Sequence, residues 1–192
     1  MSYHHGNLKE ALIQTGDELL KNYGPDGFSL RDIAKSAGVS HNAPYRHFLD
    51  KNDFIEQIIT RTLSEIADQI LSAPLIYPAS ITLQIQFVGR LWMHQAIQYP
   101  KKAFFIFTGP YNPAQKIILQ NLCELLQGEI EHSVSLLSAQ ILISGFRGLG
   151  LDYIAQAQCF TSNELGITPQ SSDDLLTLSD LFVEKFLLST VA

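Results

Sequence analysis

The sequence predicts an all-α protein in two parts, and three observations carry that expectation. Apolar residues recur at helical spacing along most of the chain. Proline and glycine cut it into helix-length segments, at Gly24-Pro25, Gly38, Pro74 and Pro78, Pro100, and Gly109-Pro110. No run of period-two alternation marks a strand. "FFIF" (residues 104–107) has the apolar length of a short buried strand, but nothing stands ready to pair with it.

Taken in order, "NLKE" (residues 7–10) reads as a capping box in which Asn7 caps and Glu10 reaches back. Leu8, Ala11, Leu12, Leu19 and Tyr23 then share one face, and Gly24-Pro25 ends the helix. Ser29 opens the next helix with Asp32 three residues on. "SLRDIAKSAG" turns Leu30, Ile33, Ala34 and Ala37 inward and stops at Gly38. Asp50 caps a long helix striped by Ile55, Ile58, Ile59, Thr62, Ile66 and Ile70, and "APLIYPAS" (residues 73–80) breaks it. Further helices are expected over residues 80–99, 101–109, 113–133, 135–158 and 173–189, with "CFTSNELGITPQSS" as a loop. Residues 1–50 form a first module and 51–192 a second domain, connected by a helix over 51–72.

Composition removes several function classes. With 46% hydrophobic and 17% charged residues among 192, this is a folding chain, not a disordered one. No apolar stretch approaches the roughly 20 residues that span a bilayer. The N-terminus lacks the basic-then-apolar order of a signal peptide, so a cytoplasmic protein without membrane partners is expected. Cys123 and Cys159 stand far apart without ligand spacing, so neither a metal nor a cofactor is expected. His94 and His132 are isolated, and no nucleophile–base pair is visible, which argues against an enzyme. "GFRGLG" (residues 145–150) does not have the spacing of a dinucleotide loop and follows no strand. Its glycines three apart read instead as a flat helix face for close packing.

The net charge of −6 opposes nucleic-acid binding by the chain as a whole. Location matters more than the total. Between residues 29 and 51, Arg31, Lys35, Arg46 and Lys51 outnumber Asp32 and Asp50. The same stretch, "FSLRDIAKSAGVSHNAPYRHF", has the parts of a helix-turn-helix. Ala34 is small where two helices cross, Gly38 suits a left-handed turn, and Ile33, Ala37 and Val39 point inside. Ser40, His41 and Asn42 then open the second element, whose first residues meet base edges in the major groove. Asn pairs with adenine and His reaches guanine or phosphate. Tyr45, Arg46, His47 and Lys51 supply groups that seek phosphate, and Phe48 locks the end into the core.

Pro44 stands inside that second element. Proline in a helix interior costs about 3 kcal/mol, though it is tolerated in a first turn. It also disfavours helical angles at Ala43. A short reading helix with a late or irregular start is therefore expected. In it Ser40, His41 and Asn42 are presented from the turn and Tyr45, Arg46 and His47 from the regular part. A regular helix from Ser40, with its carbonyl bonded to residue 44, is excluded.

The first sixty residues resemble the DNA-binding module of the TetR-type transcriptional repressors. "GFSLRDIAKSAGVS", the "YRHF" ending and the Asp-Lys-x-x-Phe start of the next helix carry the likeness. It departs in Pro44, where an extended apolar side chain is usual, and in an N-terminal arm, "MSYHHGN", without Arg or Lys. The resemblance implies a helix-turn-helix module followed by a helical ligand-binding and dimerisation domain. It implies a homodimer that binds palindromic double-stranded operator DNA and is released by a small-molecule effector. By position, Ser29, Tyr45, His47 and Lys51 would touch phosphates. Ser40, His41 and Asn42 would sit at the bases, with Arg46 as a further contact. The dimer helices would bring Gly145, Phe146, Gly148 and Leu149 against Leu178, Leu181, Phe182 and Phe186. Phe87, Trp92, Phe104, Phe105, Phe107 and Tyr111 form an aromatic cluster in which a pocket is expected. Few charges lie between residues 70 and 116, so an apolar or amphipathic effector is expected. A helical dimeric small-molecule-binding or adaptor protein with weak or lost DNA binding is the alternative.

Overall fold

Eight α-helices and two short 3₁₀ turns make up the described part of this computed structural model, which covers residues 8–109, 113–127, 132–159 and 171–190. No strand occurs among them, and "FFIF" lies within a helix. The chain divides into two compact units, residues 1–62 and 63–192.

In the first unit α1 (Leu8–Tyr23) buries Leu12, Ile13, Gly16 and Leu20. This corrects the expected stripe: Leu19 is only half-buried and Tyr23 is 61% exposed. The reason is Gly16. A Cβ there would lie 2.2 Å from the Phe54 ring, so the helix turns its bare backbone to Phe54 and the buried face centres on that glycine. Asn7 lies outside the described residues. α2 (Leu30–Ser36) starts on a complete capping box. The Asp32 amide donates to Ser29 Oγ at 3.3 Å, and the Ser29 amide donates to Asp32 Oδ2 at 2.8 Å. Its end is a Schellman motif. Gly38 takes φ +69°, its amide donates to the Lys35 carbonyl, and the Val39 amide donates to the Ala34 carbonyl at 2.9 Å.

α3 (Lys51–Ile76) begins at Asp50, whose Oδ1 accepts the Asp53 amide at 2.9 Å. Asp53 in turn accepts the Leu49 amide at 2.7 Å. The expected stripe from Ile55 to Ile70 is buried. The helix outruns the expected break at residue 73 and passes through Pro74. Buried Ile70 and Ala73 hold this last turn in the core. The Tyr77 amide closes onto the Ala73 carbonyl, so the helical bonding continues past the proline.

The second unit packs α4 (Ile81–Gln98), α5 (Pro100–Thr108), α6 (Pro113–Gln127), α7 (His132–Cys159) and α8 (Ser172–Thr190). α7 meets α4, α5, α6 and α8. Ser80 caps α4, and Ser171 with Asp174 forms a reciprocal box at the start of α8. Arg90 of α4 grips Asp180 of α8 through two hydrogen bonds of 3.2 and 2.5 Å. Asn121 of α6 donates to the Ala67 carbonyl of α3 at 3.0 Å. The "GFRGLG" glycines do not act as one flat face. A Cβ on Gly145 would strike the Phe182 ring at 2.2 Å and one on Gly150 the Phe107 ring at 2.3 Å. One on Gly148 meets nothing within 4 Å. Positions three and five residues apart point to different neighbours, so only Gly145 and Gly150 serve close approach.

Candidate nucleic-acid interface and an interior cavity

The stretch after the turn contains no α-helix. A single 3₁₀ turn, Pro44–Arg46, stands where the short reading helix was expected. Its hydrogen bonds show why. The Ser40 carbonyl accepts from the Ala43 amide at 2.9 Å, one residue before the proline that has no donor. The Ala43 carbonyl accepts from Arg46, and that of Pro44 from both His47 and Phe48. The chain thus bonds the Ser40, Ala43 and Pro44 carbonyls at i+3, adds an i+4 bond only from Phe48, and bypasses the bond the proline forbids. One expectation fails: Ala43 has helical angles, φ −59° and ψ −46°, despite the proline after it. The bonds made by both its amide and its carbonyl, with its burial, hold it there.

Ala43, Pro44 and Phe48 are buried beneath this stretch. Phe48 meets Phe54 edge to face at 4.6 Å. Above those anchors, Ser40, His41, Asn42, Tyr45 and Arg46 are exposed together. His47 is half-buried, its ring 6.2 Å from that of Phe48. Lys51 is also half-buried, with its ammonium 5.0 Å above the Phe28 ring. Ser29 is exposed, but its hydroxyl donates to Asp32 Oδ2 at 2.6 Å. Its proton is thereby committed to the cap. That hydroxyl, then the Ser29 amide, holds the Asp32 carboxyl below its ordinary range.

In the second unit the aromatic residues do not form one cluster. Phe87 lies beside Tyr77 at 6.1 Å, and Phe104 is 44% exposed next to Phe105. Trp92 and Phe107 are buried together, ring centroids 5.6 Å apart. Tyr111 lies outside the described residues. A cavity of about 20 Å³ opens against Trp92, walled by Gln115, Ile118, Ile143 and Arg147. The Trp92 indole Nε1 is buried without a hydrogen-bond partner. Arg147 donates from Nε to the Phe107 carbonyl at 2.7 Å and also from Nη2 to that same oxygen. Burial lowers its pKa from the usual value. Sequence reasoning used "GFRGLG" only for its glycines and so missed Arg147. A single cation in the apolar stretch "LLSAQILISGFRGLGL" was the available signal.

The α7–α8 face differs again. Leu137, Ile141, Gly148, Leu178 and Leu181 are exposed, and Leu149 and Phe182 half-exposed. Phe146 and Phe186 are buried within the unit, Phe146 edge-on to Phe182 at 5.8 Å.

Among the described residues no cluster of His, Cys, Asp and Glu is arranged to hold a metal, and no helix is long and apolar enough to cross a membrane.

A polar, exposed stretch behind a capped helix and a glycine turn defines a helix-turn-helix module of the regulator type. Residues 12–58 match the family model described as bacterial regulatory proteins, tetR family. Over those residues, within the N-terminal unit, the chain is similar to the TetR family of regulatory proteins. No curated protein sequence matches the chain. Solved structures share its fold from end to end. A TetR-family transcriptional regulator from Mesorhizobium loti is 21% identical, with 98% of each chain covered and a TM-score of 0.61. A protein of unknown function from Rhodococcus sp. RHA1 is 18% identical over 100% of both chains, at 0.71. A TetR variant from Acinetobacter baumannii, in complex with minocycline, is 15% identical, covering 98% of this chain and 96% of its own, at 0.65.

Proposed function

We propose that the protein is a ligand-responsive transcriptional repressor that binds palindromic operator DNA as a homodimer. The carrying observation is the joint exposure of Ser40, His41, Asn42, Tyr45 and Arg46 over the buried anchors Ala43, Pro44 and Phe48. A rigid floor beneath free polar side chains is what base and phosphate contact needs. Ser40, His41 and Asn42 read bases. Tyr45, Arg46, His47 and Lys51 set the register on phosphates, and Ser29 reaches a phosphate only by exchanging its bonds to Asp32. The exposed leucines of α7 and α8 form the dimer face, with Gly145, Gly148, Leu149, Leu178, Leu181 and Phe182 on it and Phe146 and Phe186 supporting it from beneath. Its apolar character suits an obligate interface.

An effector bound in the second unit favours a dimer whose reading stretches no longer match successive major grooves, which lie about 34–36 Å apart. The minocycline complex of the similar Acinetobacter structure supports a small-molecule occupant for this fold. Selection of binding sites from a randomised duplex library with the full chain is the test. Enrichment of a two-fold symmetric site is expected, and no enrichment would overturn the reading.

A second reading is favoured by the 3₁₀ turn. Three residues of 3₁₀ helix offer a shorter reading surface than an α-helix does. With a net charge of −6, this fits a dimeric small-molecule-binding or adaptor protein that binds DNA weakly. A binding constant for the selected site no tighter, and no less salt-dependent, than for scrambled duplex would establish it.

A further inference from the structure

The cavity beside Trp92 is lined by a residue with an unmet hydrogen-bond donor, Trp92, and by a cation without a carboxylate partner among the described residues, Arg147. Trp92 is fully buried, and its indole N–H has no partner. An unpaired buried donor is costly, so it marks a place where something else belongs. Arg147 is a half-buried cation, and no carboxylate among the described residues pairs with it. Two of its nitrogens crowd onto a single oxygen, the Phe107 carbonyl. A guanidinium fork is matched by a group with two oxygens side by side, not by one carbonyl. Gln115 adds an amide to the same wall, and Ile118 and Ile143 make the rest apolar.

We propose that this cavity is the head-group subsite for an amphipathic carboxylate, with the Arg147 guanidinium as its counter-ion and the Trp92 indole N–H as a second donor. The proposal rests on the effector reading above and narrows it to a ligand class. A neutral apolar ligand leaves the indole N–H unmet and the Arg147 charge uncompensated, and a cation is repelled by Arg147. At about 20 Å³ the cavity holds roughly one water, which the indole N–H would engage in the free protein. Entry of a carboxylate displaces that water and moves the Ile118 and Ile143 side chains. Arg147 then exchanges half of its grip on the end of α5 for the ligand. This couples the site to α5 and α7 directly.

Trp92 is the single tryptophan of the chain, so tryptophan fluorescence comes from a wall of this cavity. The full chain is titrated with hexanoate and, at matched ionic strength, with hexan-1-ol. Hexanoate is expected to bind at least tenfold more tightly. The preference should fall to near unity in Arg147→Gln and survive in part in Arg147→Lys. Trp92→Phe, followed by calorimetry, should weaken hexanoate severalfold and leave the alcohol unchanged. If Arg147→Gln does not fold, the wild-type ratio and Trp92→Phe still decide. Equal affinities, or no response from either compound, overturn the subsite. Operator titration separates the two readings. Arg147-dependent hexanoate binding that leaves operator affinity unchanged keeps the subsite and removes the effector role. Operator release by some other compound, with hexanoate and hexanol indistinguishable, does the reverse.

Discussion

Two exposed surfaces of this protein are built by opposite means. Over residues 40–47 the backbone is pinned by buried Ala43 and Pro44, with Phe48 closing the end, and polar side chains stand free above it. Along α7 and α8 the backbone is regular helix, and Leu137, Ile141, Leu178 and Leu181 stand free instead. The first surface withholds apolar groups from water and offers hydrogen bonds. The second offers little except apolar area, which is stable in solution only when covered. Exposure alone therefore does not identify a function. The chemistry of what is exposed, and how firmly it is held, separates a surface suited to nucleic acid from one suited to a second subunit.

The sharpest way to break this contrast is to put charge on the apolar face. Leu181→Asp, in a covered interface, buries an unpaired carboxylate, which costs several kcal/mol. Sedimentation should show monomers, with operator affinity falling at least a hundredfold. A dimer of unchanged strength would remove the face from the interface. Next comes the floor of the polar surface. Phe48→Ala empties a site 2% exposed and removes the edge-to-face contact with Phe54. A loss of about 3 kcal/mol is expected from denaturant unfolding, whereas a change below 1 would show that the stretch is held elsewhere.

Above that floor, Asn42→Ala should cost about 1–3 kcal/mol of discrimination at one base pair. Lys51→Ala should weaken all sequences alike and reduce the salt slope by about one. Lys51 lies over Phe28, so a smaller slope change would mean it stays there in the complex. The smallest effect belongs to the cap. Ser29→Ala should cost about 1 kcal/mol in thermal unfolding. Because Ser29 holds the Asp32 carboxyl below its ordinary pKa, the carboxylate's share of this contribution is present above about pH 4. It disappears as pH falls through the lower folded value. The difference between variant and wild type should narrow in acid without vanishing, because the bond from the Asp32 amide to Ser29 Oγ does not depend on ionisation; a constant difference down to pH 2 (about two units below the ordinary value) would contradict the assignment.

Much of this was legible in the chain because it is local. The Ser29–Asp32 box, the left-handed turn at Gly38, the Asp50 cap, and the buried Ile55-to-Ile70 stripe each depend on residues within one or two turns. Their hydrogen bonds or helical periodicity follow from spacing. Even Pro44 was informative: a missing donor excluded the regular helix before any contact was known. The error there was one of degree, since i+3 bonding replaced the short α-helix. Ala43 kept helical angles because its neighbours bury it.

What spacing does not contain is which distant residue arrives opposite. Gly16 sets the face of α1 because Phe54, 38 positions away, presses on it. The aromatic residues were adjacent in reading but not in space, so Trp92 met Phe107 while Phe104 turned outward. Arg147 became notable only when α7 carried it to the end of α5 beside an unpaired indole. Helix type and helix ends come from short-range hydrogen bonding and periodicity, which the order of residues encodes directly. Burial, cavities and the fate of a lone charge depend on packing between helices far apart in the chain, and so they were settled by the folded arrangement.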